Sequence, residues 1–130
     1  MKKGNLILIS GKDLVVVKMS AMSLVSTEMN VVIGSNDRAE LEYDIEHLKP
    51  DIVLIWGVDN SDSILEFVIK WENHDVNPFF IVTTCYRNVY DILDNNLPRN
   101  AYAVLEPESM KFIKDIIKEE IDRKYSLGVK

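Results

Sequence analysis

Three aspartates, Asp13, Asp59 and Asp62, stand in short polar stretches that follow apolar runs. Carboxylates are hard oxygen ligands for Mg²⁺ and can also act as acceptors of a phosphoryl group. If the apolar runs before them are neighbouring strands, these acids share one sheet edge and could assemble a metal or phosphate-acceptor site. The competing role is local, since Asp ahead of a helix caps it or closes a turn, and that role is expected here. Thr83 and Thr84 end another apolar run. Their hydroxyls could serve a switch; the expectation is a hydroxyl bonded to backbone at a strand end. His47 and His74 lie far apart with no cysteine or acidic ligand pattern around them, so they read as solvated helix residues. Cys85 is expected to pack at a strand end, because a reactive thiol needs a cationic neighbourhood. No Gly-rich phosphate loop, zinc spacing or Ser-His-Asp arrangement is visible, so an enzyme ranks last among the function classes.

The frame that holds these residues is small. The chain has 130 residues, enough for one domain over 1–130 with a core from about 5 to 122. It is 47% hydrophobic and 28% charged, a balance that supports a packed core and argues against disorder. The single cysteine excludes an intramolecular disulfide, and a core of this size needs neither disulfide nor metal to fold. The net charge of −6 opposes non-specific binding to DNA or RNA, and no nucleic acid is expected on this domain. The opening apolar run, Leu6 to Ile9, is too short for a signal peptide or a membrane span, which gives a cytoplasmic, membrane-free expectation.

Apolar runs alternate with amphipathic stretches. Strands are expected at Asn5–Ser10, Asn30–Gly34, Asp51–Trp56, Phe79–Thr84 and Ala101–Leu105. The stretch Lys12–Thr27 carries a strand-like Val15-Val16-Val17 but reads as a helix by length and by Met19, Met22 and Leu24. A second helix opens at Asp37, with Glu40 completing a capping box, buries Leu41, Ile45 and Leu48, and stops at Pro50. The third buries Ile64, Leu65, Val68 and Ile69, and the fourth runs from about Asn88 to Asn95. The last begins at Pro107 and buries Phe112, Ile113, Ile116, Ile117 and Ile121, with a frayed tail from Ser126. Continuous apolar strands mean a parallel sheet buried on both faces. The expected fold is therefore α/β, a (βα)5 doubly wound sandwich with strand order 2-1-3-4-5, flavodoxin-like.

Three segments then carry a resemblance. Lys49-Pro-Asp-Ile-Val-Leu-Ile55, Pro78-Phe-Phe-Ile-Val-Thr83 and Ala103-Val-Leu-Glu-Pro107 resemble the third, fourth and fifth strands of response-regulator receiver domains. Met29-Asn-Val-Val-Ile-Gly34 is most similar to receivers that precede LuxR-type DNA-binding domains. The resemblance covers Leu6 to about Asp122 and fails where chemistry belongs. Receivers place two Mg²⁺-binding acids where this chain has Ser10 and Gly11, and the phosphorylated aspartate where it has Trp56. Their phosphate-pairing lysine is Glu106 here, and only the hydroxyl position survives, as Thr83. The aromatic switch position is Ala103, with Tyr102 beside it.

What the resemblance implies is a pseudo-receiver that cannot be phosphorylated, with Trp56 filling a vacated pocket. It implies no cofactor, no metal and no catalysis. A protein partner or a second copy is expected on the surface of the last strand and helix, through Tyr90, Asp91, Asp94, Tyr102, Lys111 and Lys118. The chain would serve as an interaction module, and the likeness to receivers that precede DNA-binding domains implies the regulatory half of a transcriptional regulator. The alternative is a small-ligand sensor whose pocket is lined by Ser10, Asn60 and Thr83.

Overall fold

The structure is a computed structural model that describes residues 5–25, 29–106 and 110–128, without the side chains of 124–128. Five strands alternate with five helices: β1 Asn5–Gly11, α1 Leu14–Val25, β2 Met29–Ile33, α2 Arg38–Leu48, β3 Ile52–Trp56, α3 Ser61–Ile69, β4 Phe79–Thr84, α4 Arg87–Asn96, β5 Ala101–Leu105 and α5 Met110–Gly128. The strands form one sheet, ordered β2-β1-β3-β4-β5, and every pairing is parallel. The expected (βα)5 sandwich is the observed fold. Among the described residues no helix is long and apolar enough to cross a membrane.

Both faces of the sheet are covered, which is why β3 and β4 are apolar without alternation. One core layer joins Leu8, Val53, Ile55, Phe80 and Val82 to Leu41, Ile45, Ile64, Phe67, Val68, Trp71 and Leu93 under α2, α3 and α4. The other joins Ile7, Ile9, Leu54 and Ile81 to Val17, Leu24, Ile113 and Ile117 under α1 and α5. The edge strand β2 is the exception, exposed at Asn30, Val32 and Ile33.

Capping decides where helices start. Asp13 Oδ1 accepts from the amides of Val15 and Val16, at 3.0 and 3.4 Å. That bond and the buried face of Val17, Ser20, Ala21 and Leu24 make the Val15–Val17 run helical despite its β-branched residues. Asp37 Oδ2 accepts from the Glu40 amide at 3.0 Å. The capping box closes differently from expectation: the Glu40 carboxylate accepts from Ser35 Oγ at 2.6 Å, and Ser35 Oγ takes the Asp37 amide at 3.0 Å. Asn60 Oδ1 accepts from the Ser63 amide and opens α3. The stop of α2 is Lys49, left-handed at φ 49°, just ahead of Pro50.

Several burial expectations are corrected. Leu48, Ile69 and Phe112 are surface residues, while Phe67 and Trp71 fill the core in α3 and the turn after it. Cys85 is exposed, because β4 ends at Thr84 and the chain turns outward. The last helix continues through Gly128 where fraying was expected; its expected start at Pro107 lies outside the described residues. His47 bonds the Tyr43 carbonyl and stacks on its ring, whereas His74 sits in the turn after α3 beside Glu46. Removing the α2 cap by Asp37→Ala should cost about 1 kcal/mol. A fall in the urea midpoint with an unchanged slope would show it.

Candidate functional site

A parallel sheet delivers the carboxyl ends of all its strands to one edge, and the loops that follow them form a crevice there. The β1–β3 register sets Ser10 beside Ile55 and Gly11 beside Trp56. The β4–β5 register sets Thr83 beside Val104 and Thr84 beside Leu105, with Glu106 next in the chain. Ser10, Gly11, Trp56, Thr83 and Glu106 thus meet along one edge, as the spacing of strands anticipates.

The central feature is a hydrogen-bond relay through Thr83, which is fully buried. The Gly57 amide donates to Thr83 Oγ1 at 3.0 Å. Thr83 Oγ1 in turn donates to Glu106 Oε2 at 2.8 Å. Backbone bonds run parallel to this relay, from the Val58 amide to the Thr83 carbonyl and from the Glu106 amide to the Thr84 carbonyl, both 2.8 Å. Gly57 has φ +72°, a conformation that a β-carbon strains, so glycine is what lets its amide face Thr83. A bond from a buried hydroxyl to a carboxylate contributes about 1.5–3 kcal/mol, more than a neutral pair. The relay ties the ends of β3, β4 and β5 together. The expected strand-end role of Thr83 is present, and the bond to Glu106 adds to it. Thr84 Oγ1 caps the following turn by accepting from the Tyr86 amide.

On the β1 side, Ser10 is buried and its hydroxyl donates to the Ser35 carbonyl at 2.8 Å. A β-carbon at Gly11 would sit 2.9 Å from Trp56 Cβ and 3.0 Å from Val17 Cγ2. A side chain at position 11 therefore requires the strands or α1 to shift. The Trp56 ring packs against the core layer under α1 and α5, and its buried Nε1 has no hydrogen-bond partner among the described residues. With Lys12, Asp13, Val16, Gly57 and Glu106 it lines a cleft of about 200 Å³. A ligand cavity usually runs to roughly 300–1,000 Å³, so this one is small.

The three aspartates do not assemble. Asp13 is held by its helix-capping bonds, Asp62 lies in the first turn of α3, and Asp59 pairs with Lys12 Nζ at 2.6 Å. Among the described residues no three ligating side chains converge on a metal position. Lys12 lowers the Asp59 carboxyl below its ordinary value, by hydrogen bond first and by charge second. Whatever stability the pair adds is therefore present above the ordinary carboxylate range and fades as pH falls through the lowered value. Both side chains are mostly exposed, so the effect is slight. Arg38 lies near by, its guanidinium over the Phe67 ring at 5.0 Å, and partial burial lowers its basicity against the pull of Asp59.

The second predicted surface is partly assembled. Tyr90, Tyr102, Arg87 and Phe112 line a groove of about 240 Å³ between α4, β5 and α5. Burial first, then the Asp94 carboxylate, raise the Tyr90 phenol above its usual value. Asp91 pairs with Arg87 at 3.3 Å on the same helix. Lys111 pairs with Asp115 at 3.6 Å. Lys118 is elsewhere: it lines a cavity with Leu24, Met29 and Ile121, on the α1 flank of α5. Helical geometry explains the correction, because residues 112, 116, 119 and 123 face β5 and residue 118 faces away. Sequence reasoning missed Lys12, Gly57, Arg87 and Phe112. The signal for Phe112 was an aromatic residue one position off the strictly buried pair Ile113 and Ile117.

Thr83→Val should leave both the Gly57 amide and the Glu106 carboxylate without their partner and cost roughly 1–3 kcal/mol in urea denaturation. Glu106→Gln keeps an acceptor and should cost less. Equal losses would deny the charge-assisted character of the bond.

No family model matches the chain, and no curated protein matches it. Solved structures do. A CheY-like response regulator receiver domain from Methanospirillum hungatei JF-1 superposes with a TM-score of 0.77 at 18% identity, covering 95% of this chain and 98% of that one. A LuxR-family DNA-binding response regulator from Staphylococcus aureus gives 0.72 at 13% identity, over 89% and 98%. RcsB from Salmonella enterica serovar Typhimurium, bound to promoter rprA in the presence of phosphomimetic BeF3−, gives 0.72 at 17% identity, over 97% and 68%. The chain has the fold of response-regulator receiver domains.

Proposed function

We propose that this chain is a pseudo-receiver: a signal-transduction module that works by binding a protein partner and accepts no phosphate. The observation that carries this reading is the Thr83–Glu106 hydrogen bond. The surviving switch-position hydroxyl is already engaged by a carboxylate, at the place where a receiver carries a phosphate-pairing lysine. An incoming phosphoryl group would meet a negative charge there instead of a positive one. Trp56 at the acceptor position has no nucleophile, and Ser10 and Gly11 offer no carboxylate for Mg²⁺. In this reading the protein is not an enzyme and needs no cofactor.

The partner surface is the α4–β5–α5 face. Tyr102 is 44% exposed on the edge strand beside Tyr90 and Phe112, an aromatic group of the kind that anchors protein interfaces. Arg87, Asp91 and Asp94 border it and would set partner specificity more than affinity. Because two structural neighbours are DNA-binding regulators, the role that fits is the regulatory domain of a transcriptional regulator, with DNA contacts made outside this domain. The ligand-sensor alternative is less well supported. Ser10 and Thr83 have their hydroxyls engaged within the protein, Asn60 caps α3, and the cleft is small.

Intact mass after incubation with Mg²⁺ and a small phosphodonor tests the central reading. The expected spectrum shows the unmodified chain alone. A stoichiometric phosphate adduct would overturn the reading and direct attention to Asp59 as acceptor.

A further inference from the structure

Between β5 and α5 the sheet carries a second groove, larger than the one beside α4. Strand alternation puts Phe79, Ile81 and Tyr102 on one sheet face, since Tyr102 pairs with Ile81 in the β4–β5 register. Helix α5 faces them with Phe112, Ile116, Glu119, Glu120 and Arg123, the i, i+4, i+7, i+8 and i+11 positions of one stripe. The space between has a volume of about 470 Å³, within the range of roughly 300–1,000 Å³ usual for a binding site. Its walls are largely aromatic: Phe79 is buried, while Tyr102 and Phe112 reach solvent.

The charge of the groove is one-sided. Asp115, Glu119 and Glu120 line it against a single cation, Arg123. Asp115 also pairs with Lys111 at 3.6 Å, which leaves Glu119 and Glu120 as the acids of the groove itself. Glu120 continues the row of Ile113 and Ile117, where the helix pattern calls for an apolar residue, and it is only 7% exposed. A carboxylate leaves water at low cost only where partners hold it. Arg123 Nε and Nη2 donate to its two oxygens at 3.1 and 2.6 Å. An ionised carboxylate accepts at about four lone-pair positions, so this fork leaves capacity on the same oxygens.

We propose that this groove receives an arginine side chain of the protein partner. A guanidinium stacks on aromatic rings and forks onto carboxylates with one planar group. Tyr102, Phe112, Glu119 and Glu120 supply both kinds of contact. The same carboxylates repel a phosphate-bearing partner. Tyr102 and Phe112 also line the groove beside α4, so the two grooves adjoin and a partner that covers one extends into the other. The partner segment is therefore cationic at its α5 end, next to its apolar anchor. This inference rests on the reading of the chain as a protein-binding module. It does not depend on phosphate acceptance, which the mass measurement tests separately.

Amide NMR titration of the whole chain with the blocked peptide acetyl-Leu-Arg-Leu-amide tests the assignment. The expected result is saturable shifts at Tyr102, Phe112, Ile116 and Glu119. The same peptide with citrulline, the neutral isostere of arginine, should bind at least about tenfold more weakly, because it keeps the shape and loses the charge-assisted bonds. Glu119→Gln, at an exposed position, should weaken binding about threefold. The control Glu66→Gln, which removes one exposed carboxylate on α3, should leave binding unchanged. Arg123→Gln should tighten it, because the incoming guanidinium takes over the fork on Glu120; a purely structural pair gives no such gain. Shifts scattered over other acidic surfaces, equal binding of the citrulline peptide, equal weakening by Glu66→Gln, or no gain from Arg123→Gln would each overturn the proposal. So would spermidine binding as tightly as the peptide, which would mark a small-amine site.

Discussion

The structure depends on one constraint: five parallel strands, sandwiched between helices, must end along a single edge. Backbone groups along the sheet are paired by its ladders, so the polar residues at that edge have to satisfy one another or face water. Here they satisfy one another. Ser10 closes onto the Ser35 carbonyl, Gly57 and Glu106 close onto Thr83, and Lys12 closes onto Asp59. The first three bonds tie a strand end to a neighbouring loop and the last joins two loops, and together they stitch the edge shut. The same edge that could have gathered acids around a cation is held by two hydroxyls, backbone groups and two carboxylates, one of them paired with a lysine.

Glu106 shows how this arrangement tolerates a charge. A carboxylate beside a buried hydroxyl is costly unless the hydroxyl donates to it, and Thr83 does. A lysine at that position would leave the Thr83 hydroxyl without its carboxylate acceptor and bring a cation into a site with no acid at 10, 11 or 56. In the proposed pseudo-receiver reading, the residues at 10, 11, 56 and 106 are mutually consistent, since an anion at 106 suits a site that takes neither metal nor phosphate.

Much of the fold was legible because its signals are local. Unbroken apolar runs such as Ile52–Ile55 identify buried parallel strands, and Asp37 and Pro50 bound a helix by chemistry within one turn. Legibility fell where two side chains of similar character compete for the same burial. In α3, Ile69 is as apolar as Val68, and Phe67 and Trp71 took the core because larger rings fill the layer against Phe80. Leu48 lies at the surface as the last residue of α2, while Ile45 one turn earlier takes the core position. The site residues were findable by alignment to strand ends, yet their bonds were not. Thr83 and Glu106 are 23 positions apart, and only the β4–β5 register brings them together. The Lys12–Asp59 pair joins loops 47 positions apart and was invisible for the same reason.

The central claim is that this edge is closed to a phosphoryl group, and amide NMR shifts during titration with Mg²⁺ and BeF3− test it most directly. The account predicts that the amides of Gly11, Gly57, Thr83 and Glu106 stay unmoved at concentrations of both ions far above those a receiver needs. Saturable shifts centred on Gly57 and Thr83 would contradict it, because they would mean that the relay opens and the edge holds an anion and its metal.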